Sequence, residues 1–274
     1  MKRRKKKDDV EQDEEKTEIK TENKFEKAPE EVQILPVKEP ENFVKPKVKM
    51  HPFIPNPYDQ ELLLVIGSIR SGKSTLIANF LHQKALWGDV FGDNVTIISN
   101  TIKNCATSRF NLERWGDNCY ELYDDSVIHN LVKSQEEKKK TGHDEGFCLL
   151  LDDICGSISA NSNSKKGRAV VDFSTRFRHY TTRGNPVAII LSNQKFNDIS
   201  TIMRVNATGV LISSAVKNKK ELLSLEAEYA DCVGGSENWN SMIRRNQENP
   251  YSWLYLRMSR SPCEVYLNFK ERLF

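Results

Sequence analysis

The sequence predicts an α/β fold with a mostly parallel central sheet flanked by helices. Three observations lead to this prediction. From residue 62 onward, short apolar runs alternate with longer amphipathic stretches, the order expected of a parallel sheet with crossover helices. Several of the runs are continuously apolar, as strands covered on both faces are. The first run enters a glycine-containing loop and a helix-compatible stretch leaves it, so strand, loop and helix follow one another.

Each element is predicted from its own pattern. The predicted strands cover 62–66, 95–99, 119–122, 147–152, 187–192 and 209–212. The predicted helices cover 73–87, 125–140, 168–182 and 218–230. Near the C-terminus, 253–258 and 263–269 alternate as one or two further strands do, with a Ser-Pro turn at 261–262. The polar segments 134–146 and 161–168 are predicted to be surface loops.

Composition divides the 274 residues into two parts. Residues 1–49 contain dense runs of both charge signs and few apolar side chains, and prolines cluster between positions 29 and 57. Such a segment buries too little apolar surface to offset the entropy of ordering it. We therefore expect a disordered tail and linker over 1–57 and one domain with a small C-terminal β extension over 58–274. The basic run at 2–7 fits a nuclear-localisation or nucleic-acid patch, or simply a solvated tail.

Several classes of protein are disfavoured by charge, apolar runs and cysteines. The formal net charge is only +3, which is no strong signature of nucleic-acid binding. No apolar run is long enough to span a membrane, and none follows the basic N-terminus as in a secretory signal. The six cysteines form no Cys-x-x-Cys pair, and Cys148 lies in an apolar strand. This pattern favours reduced thiols in an intracellular setting over a zinc site.

The loop at 67–74 reads Gly-Ser-Ile-Arg-Ser-Gly-Lys-Ser and matches the phosphate-binding P-loop pattern. Gly67 and Gly72 let the backbone turn its N–H groups onto phosphate oxygens, and the helix adds the positive end of its dipole. Lys73 is expected to reach the β- and γ-phosphates, and the Ser74 hydroxyl to bind Mg²⁺. The motif therefore predicts a nucleoside triphosphate with Mg²⁺. The predicted nucleotide-binding residues are Gly67, Ser68, Ile69, Arg70, Ser71, Gly72, Lys73, Ser74 and Thr75.

The strand predicted at 147–152 ends in two acids, Asp152 and Asp153. Downstream of a P-loop, such a strand resembles a Walker B element. Asp152 is then expected to hold Mg²⁺ opposite Ser74, and Asp153 to orient or deprotonate the attacking water. The alternative is a strand that ends in two surface carboxylates.

The strand predicted at 187–192 is followed by Asn193 and Gln194. Between the P-loop helix and Asp152 there is room for an additional strand, 95–99, and an acid stands beside the magnesium ligand. Both features resemble the RecA-like, additional-strand class of P-loop ATPases, in which a polar residue after the next strand senses the γ-phosphate. Gln194 is the first candidate and Asn193 the second, and a helix cap or loop role is the alternative. Because no convincing Asn-Lys-x-Asp guanine signature is present, ATP is favoured over GTP.

The ordered set of motifs resembles the FtsK/HerA superfamily. The set consists of the P-loop, Leu-Leu-Leu-Asp-Asp at 149–153, Arg178-His179, Leu-Ser-Asn-Gln at 191–194, Arg204 and Asn206. Over about 60–215, it is most similar to the virion DNA-packaging ATPases of poxviruses and other nucleocytoplasmic large DNA viruses, and of their virophage and polinton-like relatives. The resemblance implies a homo-oligomeric ring, hexameric or pentameric, that hydrolyses ATP with Mg²⁺ to drive double-stranded DNA into a capsid. It also implies capsid or portal-vertex partners, and localisation to the virion and the viral factory in the cytoplasm or nucleus.

In such rings, an arginine of one subunit completes the neighbouring site, where a guanidinium stabilises charge on the transferring phosphoryl group. Arg178 matches the family's Arg-His position and is the first candidate. Arg176, Arg183 and Arg204 are alternatives, and each of them can also be an ordinary surface arginine. The implied catalytic residues are therefore Lys73, Asp153, Gln194 and Arg178.

Arg70, inside the P-loop, departs from the family pattern. Large terminases of tailed phages and herpesviruses often carry an arginine there that acts within its own subunit, so a terminase-like ATPase subunit is an alternative. A terminase would normally add a nuclease domain with clustered acidic metal ligands, but only about 60 residues follow position 215. The acids in this part are predicted to lie on one exposed helix, and no nuclease is predicted. They are Glu221, Glu226, Glu228 and Asp231.

A packaging ring needs cationic groups that face its channel, because phosphate neutralisation supplies most sequence-independent affinity for DNA. Lys165, Lys166 and Arg168 follow the Walker B strand and are the candidate DNA-binding residues, whereas the lysines at 138–140 are offset by neighbouring acids. Two other interpretations remain. One is a P-loop nucleotide kinase or an ATPase that does not act on DNA. The other is an ATP-binding assembly protein with negligible turnover, against which Asp153 argues.

Overall fold

A mixed sheet of nine strands forms the centre of the computed structural model, which describes residues 50–104, 106–154 and 167–274. Residues 1–49 of the predicted tail, and the candidate DNA-binding residues Lys165 and Lys166, lie outside the described residues. The strands are β1 (Glu61–Ile66), β2 (Val95–Ser99), β3 (Cys119–Tyr120), β4 (Phe147–Asp152), β5 (Val187–Asn193), β6 (Gly209–Ser213), β7 (Trp253–Arg257), β8 (Glu264–Leu267) and β9 (Glu271–Arg272).

Helices cover both faces of this sheet. In the described part of the chain they are α1 (Lys73–His82), α2 (Ser108–Trp115), α3 (Asp125–Lys140), α4 (Arg168–Arg176), α5 (Thr201–Val205), α6 (Lys219–Tyr229) and α7 (Ser236–Gln247). Side chains of α1 and α2 pack on one face with Leu63 and Val65 of β1. Side chains of α3 to α7 pack on the other face with Leu62 and Leu64. None of the described helices is long and apolar enough to cross a membrane.

The strand order is β3-β2-β4-β5-β1-β6-β7-β8-β9. Neighbouring strands from β3 to β6 are parallel, whereas β7, β8 and β9 extend the sheet in antiparallel fashion. The predicted α/β fold with a mostly parallel sheet flanked by helices is thus confirmed. Although 95–99 lies between the P-loop and Asp152 in sequence, the strand between β1 and β4 in the sheet is β5. We call the edge where the parallel strands end the carboxyl edge, and the opposite one the amino edge.

Several predicted boundaries change for identifiable reasons. Helix α1 ends at His82 rather than at 87, because the chain becomes extended at Gln83 and then turns so that buried Trp87 donates its indole N–H to Pro55 O, 2.9 Å away. Helix α4 ends at Arg176 rather than at 182 and gives way to a 3-10 turn, Phe177–His179. The predicted loop at 134–146 was wrong over its first half, since α3 continues to Lys140.

Three helices, α2, α5 and α7, were not predicted. Helix α5 has only five residues, and most residues of α2 and α7 are polar. Helix α7 buries only one stripe, formed by Trp239, Met242, Ile243 and Asn246. The four free cysteines of the described residues include buried Cys148, as predicted, and burial raises the pKa of its thiol. The strands predicted at 253–258 and 263–269 correspond to β7 and β8, and β9 follows them as a short additional strand.

Candidate nucleotide-binding site

The P-loop connects β1 to α1 at the carboxyl edge, and its shape depends on two glycines. A Cβ atom on Gly67 would lie 2.4 Å from Ser71 Oγ, so this position accepts no side chain without a shift. Gly72 has a φ of 88° and precedes the first residue of α1, a left-handed conformation that glycine adopts at little cost. A hydrogen bond of 3.0 Å, donated by Ser68 Oγ to Ala215 O, holds the loop against the segment after β6. A preformed phosphate cradle results.

Lys73, the first residue of α1, folds back over this loop. Its side chain is buried, and Nζ donates to Gly67 O at 2.8 Å and to Ser68 O at 3.4 Å. Ser71 Oγ is buried and has no hydrogen-bond partner among the described residues. A buried hydroxyl without a partner costs free energy, and a ligand that the loop closes around could provide that partner. The cradle therefore fits a triphosphate.

Asp152 ends β4 at the carboxyl edge and lies between two serines on neighbouring strands. The sheet register pairs it with Ser99 of β2 and Ser192 of β5, and Ser99 Oγ donates to Asp152 Oδ2 at 3.3 Å. Burial raises the pKa of this carboxyl, and the negative charge of Asp153 adds to the rise, whereas hydrogen bonding and the charge of Lys73 oppose it. The second oxygen, Oδ1, is buried without a partner among the described residues.

Ser74 and Asp152 line the same small cavity between α1 and β4. A hydroxyl and a carboxylate are hard oxygen ligands of the kind Mg²⁺ takes, together with phosphate oxygens and water. No group of three or more His, Cys, Asp or Glu residues able to share a metal occurs in the described ranges. The unpartnered Asp152 Oδ1 and the Ser74 hydroxyl therefore suit an ion that the nucleotide itself helps to hold.

Asp153 and Gln194, predicted from separate motifs, are in contact. Gln194 Nε2 donates to Asp153 Oδ2 at 3.2 Å, and the Asp153 backbone N–H donates to Ser192 O at 2.9 Å. Asp153 has a φ of 51°, and its Oδ1 is buried without a partner among the described residues. Asn193, the second candidate, donates instead to Lys195 O within its own turn. This geometry favours Gln194 over Asn193 as the candidate for the polar residue beside the γ-phosphate.

Arg178 is far from the P-loop of its own chain. It lies in the 3-10 turn between α4 and β5, at the amino edge, where Lys139 near the end of α3 donates to His179 O at 2.8 Å. Its side chain is exposed, and its guanidinium lies 5.5 Å from the Phe177 ring centroid. Arg176 and Arg183 are also exposed and flank the same turn. None of the three belongs to the carboxyl edge.

Arg204, an alternative trans-acting arginine, is mostly buried. Its NH1 lies 3.2 Å from Glu228 Oε2, with side-chain exposures of 17% and 28%, and its guanidinium stacks 4.8 Å from the Phe196 ring centroid. These contacts hold α5 against α6. These contacts favour a structural role for Arg204 over the alternative that it completes a neighbouring site.

The predicted solvated row of acids on the helix after β6 was wrong in its detail. Glu221 is half-buried and accepts the Phe196 N–H at 2.8 Å, Glu228 pairs with Arg204, and Asp231 lies in the turn after α6. Glu226 accepts from Asn240 of α7. Because these acids tie elements together, their spacing carries no sign of metal binding.

Arg168 is the one candidate DNA-binding residue that falls within the described residues. It begins α4 at the carboxyl edge and is exposed, with Nε 3.6 Å from Asp172 Oδ2 one turn along the helix. The lysines at 138–140 include Lys138, which bonds to Asn94, and Lys139, which bonds to His179 O. Arg168 thus lies on the same edge as the P-loop.

Sequence reasoning missed three residues of this edge. Ser99 and Ser192 flank Asp152, and their signal was available, because polar residues at the ends of neighbouring parallel strands meet at one edge. Tyr251 lies against Gly72 of the P-loop, and a methyl group on Gly72 would be 3.5 Å from its Cδ1. No motif marks a lone tyrosine in a turn.

Comparison with known proteins bears on the fold. No protein-family model matches the chain, and no curated protein matches its sequence. The DNA-packaging ATPase B204 of Sulfolobus turreted icosahedral virus is similar in structure, with a TM-score of 0.54 and 19% identity over 77% of this chain and 98% of that one. The genome-packaging NTPase B204 of Sulfolobus turreted icosahedral virus 2 in complex with ATP-γS gives a TM-score of 0.51 and 17% identity over 75% of this chain and 96% of that one. The chain described here therefore shares the P-loop ATPase fold of these two proteins.

Proposed function

We propose that this protein is the ATPase of a viral genome-packaging motor, hydrolysing ATP with Mg²⁺ to move double-stranded DNA into a capsid. The observation that carries the proposal is the meeting of Lys73, Asp152 and the Asp153–Gln194 pair at one edge of the sheet. A P-loop alone supports nucleotide binding. Asp153, a second acid with an unpartnered oxygen beside the Asp152 carboxylate that would bind Mg²⁺, supports ATP hydrolysis. The fold shared with the B204 packaging ATPases supports the biological setting.

Each residue of the site would have a separate role, which follows from its position. The loop N–H groups and Lys73 would bind the phosphates, with the lysine exchanging its carbonyl contacts at Gly67 and Ser68 for phosphate oxygens. Ser74 and Asp152 would hold Mg²⁺, which when bound neutralises charge on the β- and γ-phosphates. Asp153 would orient the attacking water and accept its proton. Gln194 holds the Asp153 carboxylate in place through its amide N–H.

A ring is part of the proposal because Arg178 lies at the amino edge. An arginine there serves a phosphoryl group only if the site belongs to a neighbouring subunit. Double-stranded DNA in the channel, capsid or portal-vertex proteins as the docking partner, and action in the virion and viral factory complete the proposal. Arg168, exposed at the carboxyl edge, is a candidate contact to DNA phosphates.

The test is ATP hydrolysis with and without double-stranded DNA, measured alongside native mass. We expect a ring whose turnover rises with DNA and whose stimulation falls steeply with salt. Lys73→Ala should abolish nucleotide binding or hydrolysis. Asp153→Asn should retain ATP binding and lower turnover by about 10²–10⁴-fold, the usual contribution of a general base.

The matched control is Asp117→Asn, the same chemical change at an exposed acid in the turn before β3. It should leave both binding and turnover unchanged. Normal hydrolysis by Asp153→Asn would remove Asp153 from the general-base role. A monomer whose turnover ignores DNA would overturn the motor and favour an ATPase or kinase that does not act on DNA.

A further inference from the structure

We propose that Tyr251 is the nucleobase-binding residue, a stacking platform for the purine ring of the bound nucleotide. The inference rests on the proposed function, since it assumes that a nucleoside triphosphate occupies the P-loop. The residues for the reacting end, Asp152, Asp153 and Gln194, follow β4 and β5, which are on one side of β1. The nucleoside must therefore extend toward the other side, where β6 and β7 lie.

Tyr251 occupies that side and lies beside the P-loop. It stands two residues before the first residue of β7, and its Cδ1 would lie 3.5 Å from a methyl group built on Gly72. At this position, 69% of Tyr251 is exposed. A large aromatic ring is thus held next to the start of α1 with most of its surface open to a ligand.

The backbone at Tyr251 adopts a conformation that the side chain disfavours. Ser252 N–H donates to Asn249 O at 3.4 Å, which closes a four-residue turn with Pro250 second and Tyr251 third. The φ of Tyr251 is 59°, and with proline second, this third position usually holds glycine or asparagine. A tyrosine here costs free energy relative to glycine. Its exposed ring gains little burial in return, so packing does not account for its presence.

The turn is also fixed relative to the P-loop. Ser214 N–H, just after β6, donates to Ser252 O at 2.9 Å. At the end of α7, Asn246 Nδ2 donates to Ile212 O at 3.1 Å and Gln247 Nε2 donates to Val216 O at 2.8 Å. The ring is therefore presented by a braced turn, and a base that stacks on it would not have to order the platform first.

A tyrosine face suits a purine by its chemistry. Aromatic rings stack in offset geometry on the flat face of a base, and such stacking tolerates different bases because every base has a π face. The phenolic hydroxyl is not needed for this contact. The platform would therefore increase affinity for the nucleoside part of ATP while leaving the phosphate contacts unchanged.

The experiment is calorimetric titration of the full-length protein with Mg²⁺–ATPγS and, separately, with inorganic tripolyphosphate. Tyr251→Ala and Tyr251→Gly should each bind ATPγS about tenfold more weakly, as expected for the loss of one aromatic stacking contact. Tyr251→Phe should bind as the wild type does. All three should bind tripolyphosphate with unchanged affinity, because that probe has no base.

Two controls separate stacking from a structural role. Tyr251→Gly suits the left-handed backbone, so its Tm should equal or exceed that of the wild type. Phe110→Ala removes another exposed aromatic ring, on α2, and should not change ATPγS binding. The inference is overturned if Tyr251→Ala and Tyr251→Gly bind ATPγS normally, or if tripolyphosphate binding weakens by the same factor. A wild-type protein that binds neither probe would overturn the proposed function as well.

Discussion

Asp152 and Glu61 are both buried carboxyls at the ends of strands, yet their partners differ. Asp152 ends β4 at the carboxyl edge and keeps one oxygen unpartnered among the described residues. Glu61 begins β1 at the amino edge, is 0% exposed, and accepts hydrogen bonds from Thr208 Oγ1 and from the Asn56 N–H at 3.0 Å. A carboxylate oxygen without a partner is available to a ligand, whereas a carboxyl whose two oxygens both accept hydrogen bonds stabilises the fold. Glu61 is therefore structural.

The stability of the protein should depend on the ionisation of Glu61. Burial raises the pKa of Glu61, and Asp59 adds to the rise, while Thr208, Asn56 and Arg257 oppose it. A carboxyl whose pKa is higher folded than unfolded stabilises the fold below its unfolded value, and this contribution is lost as pH rises through the folded pKa. Glu61→Gln removes the titration. The unfolding free energy of Glu61→Gln minus that of the wild type should therefore increase as the pH rises above about 4.5.

Urea denaturation of both proteins at a series of pH values below and above 4.5 measures the difference between their unfolding free energies. Comparing the two at each pH cancels the titration of other groups and any fixed cost of placing an amide beside Thr208. Glu264→Gln is the matched control, because Glu264 is a less buried carboxyl that also faces Arg257. A stability difference between Glu61→Gln and the wild type that stayed constant with pH would contradict the raised pKa.

At the scale of elements, Gly146 sets how β4 meets β5. It has a φ of 90°, and a Cβ atom there would lie 2.1 Å from Pro186 O, the same oxygen that accepts the Phe147 N–H at 3.1 Å. Gly146→Ala should therefore cost about 2–4 kcal/mol, combining a left-handed alanine with an overpacked contact. Urea denaturation monitored by circular dichroism measures the loss.

Gly142 provides the comparison for this substitution. Its φ is 72°, but nothing lies within 4 Å of a Cβ built on it. Gly142→Ala should lose only about 1 kcal/mol, the cost of the left-handed backbone alone. Equal losses at the two positions would show that the approach of Pro186 contributes nothing.

Buried strands were easier to predict from the sequence than amphipathic helices. The fully buried strands β1, β4 and β5 were found to within a residue or two, because continuous apolar runs leave little freedom in assignment. Helix α7 was missed, although Trp239, Met242, Ile243 and Asn246 recur with helical spacing. Its signal was diluted by eight other residues that are mostly polar or charged. Amphipathic helices of this kind are detected by the spacing of a few buried positions rather than by composition.

The candidate site was predictable where a motif is contiguous. The P-loop and the acid pair follow from the chain itself. The contact between Asp153 and Gln194 was not predicted and arises because β4 and β5 are neighbours in the sheet. The pairing of Arg204 with Glu228 could not be predicted, because the two residues are 24 positions apart in the sequence. Tyr251 was missed because its neighbour Gly72 is distant in sequence and the contact exists only after folding.

At the scale of the whole molecule, the phosphate-binding loop and Arg178 lie on opposite edges of the sheet. If neighbouring subunits share sites, co-expressed rings of Arg178→Ala and Asp153→Asn subunits should regain activity that neither variant has alone. With random mixing, about a quarter of the interfaces carry both intact groups, so about a quarter of wild-type turnover is expected. Steady-state ATP hydrolysis by the purified mixed ring measures the recovery.

Arg176→Ala is the matched control, since Arg176 is an exposed arginine beside the same turn, and the variant should stay active. The opposite result also has a defined meaning. If Arg178→Ala hydrolyses ATP normally while Arg70→Ala does not, the arginine acts within its own subunit, as in the terminase-like alternative. Arg70 is exposed in the P-loop, with a φ of 64°.

The left-handed backbone at position 153 has a consequence for what natural variation can place there. At a φ of 51°, glycine, asparagine and aspartate are the residues that the backbone tolerates best. Of these three, aspartate alone carries a carboxylate. The backbone alone therefore does not require an acid at this position. Under the proposed function, the carboxylate is what the attacking water needs.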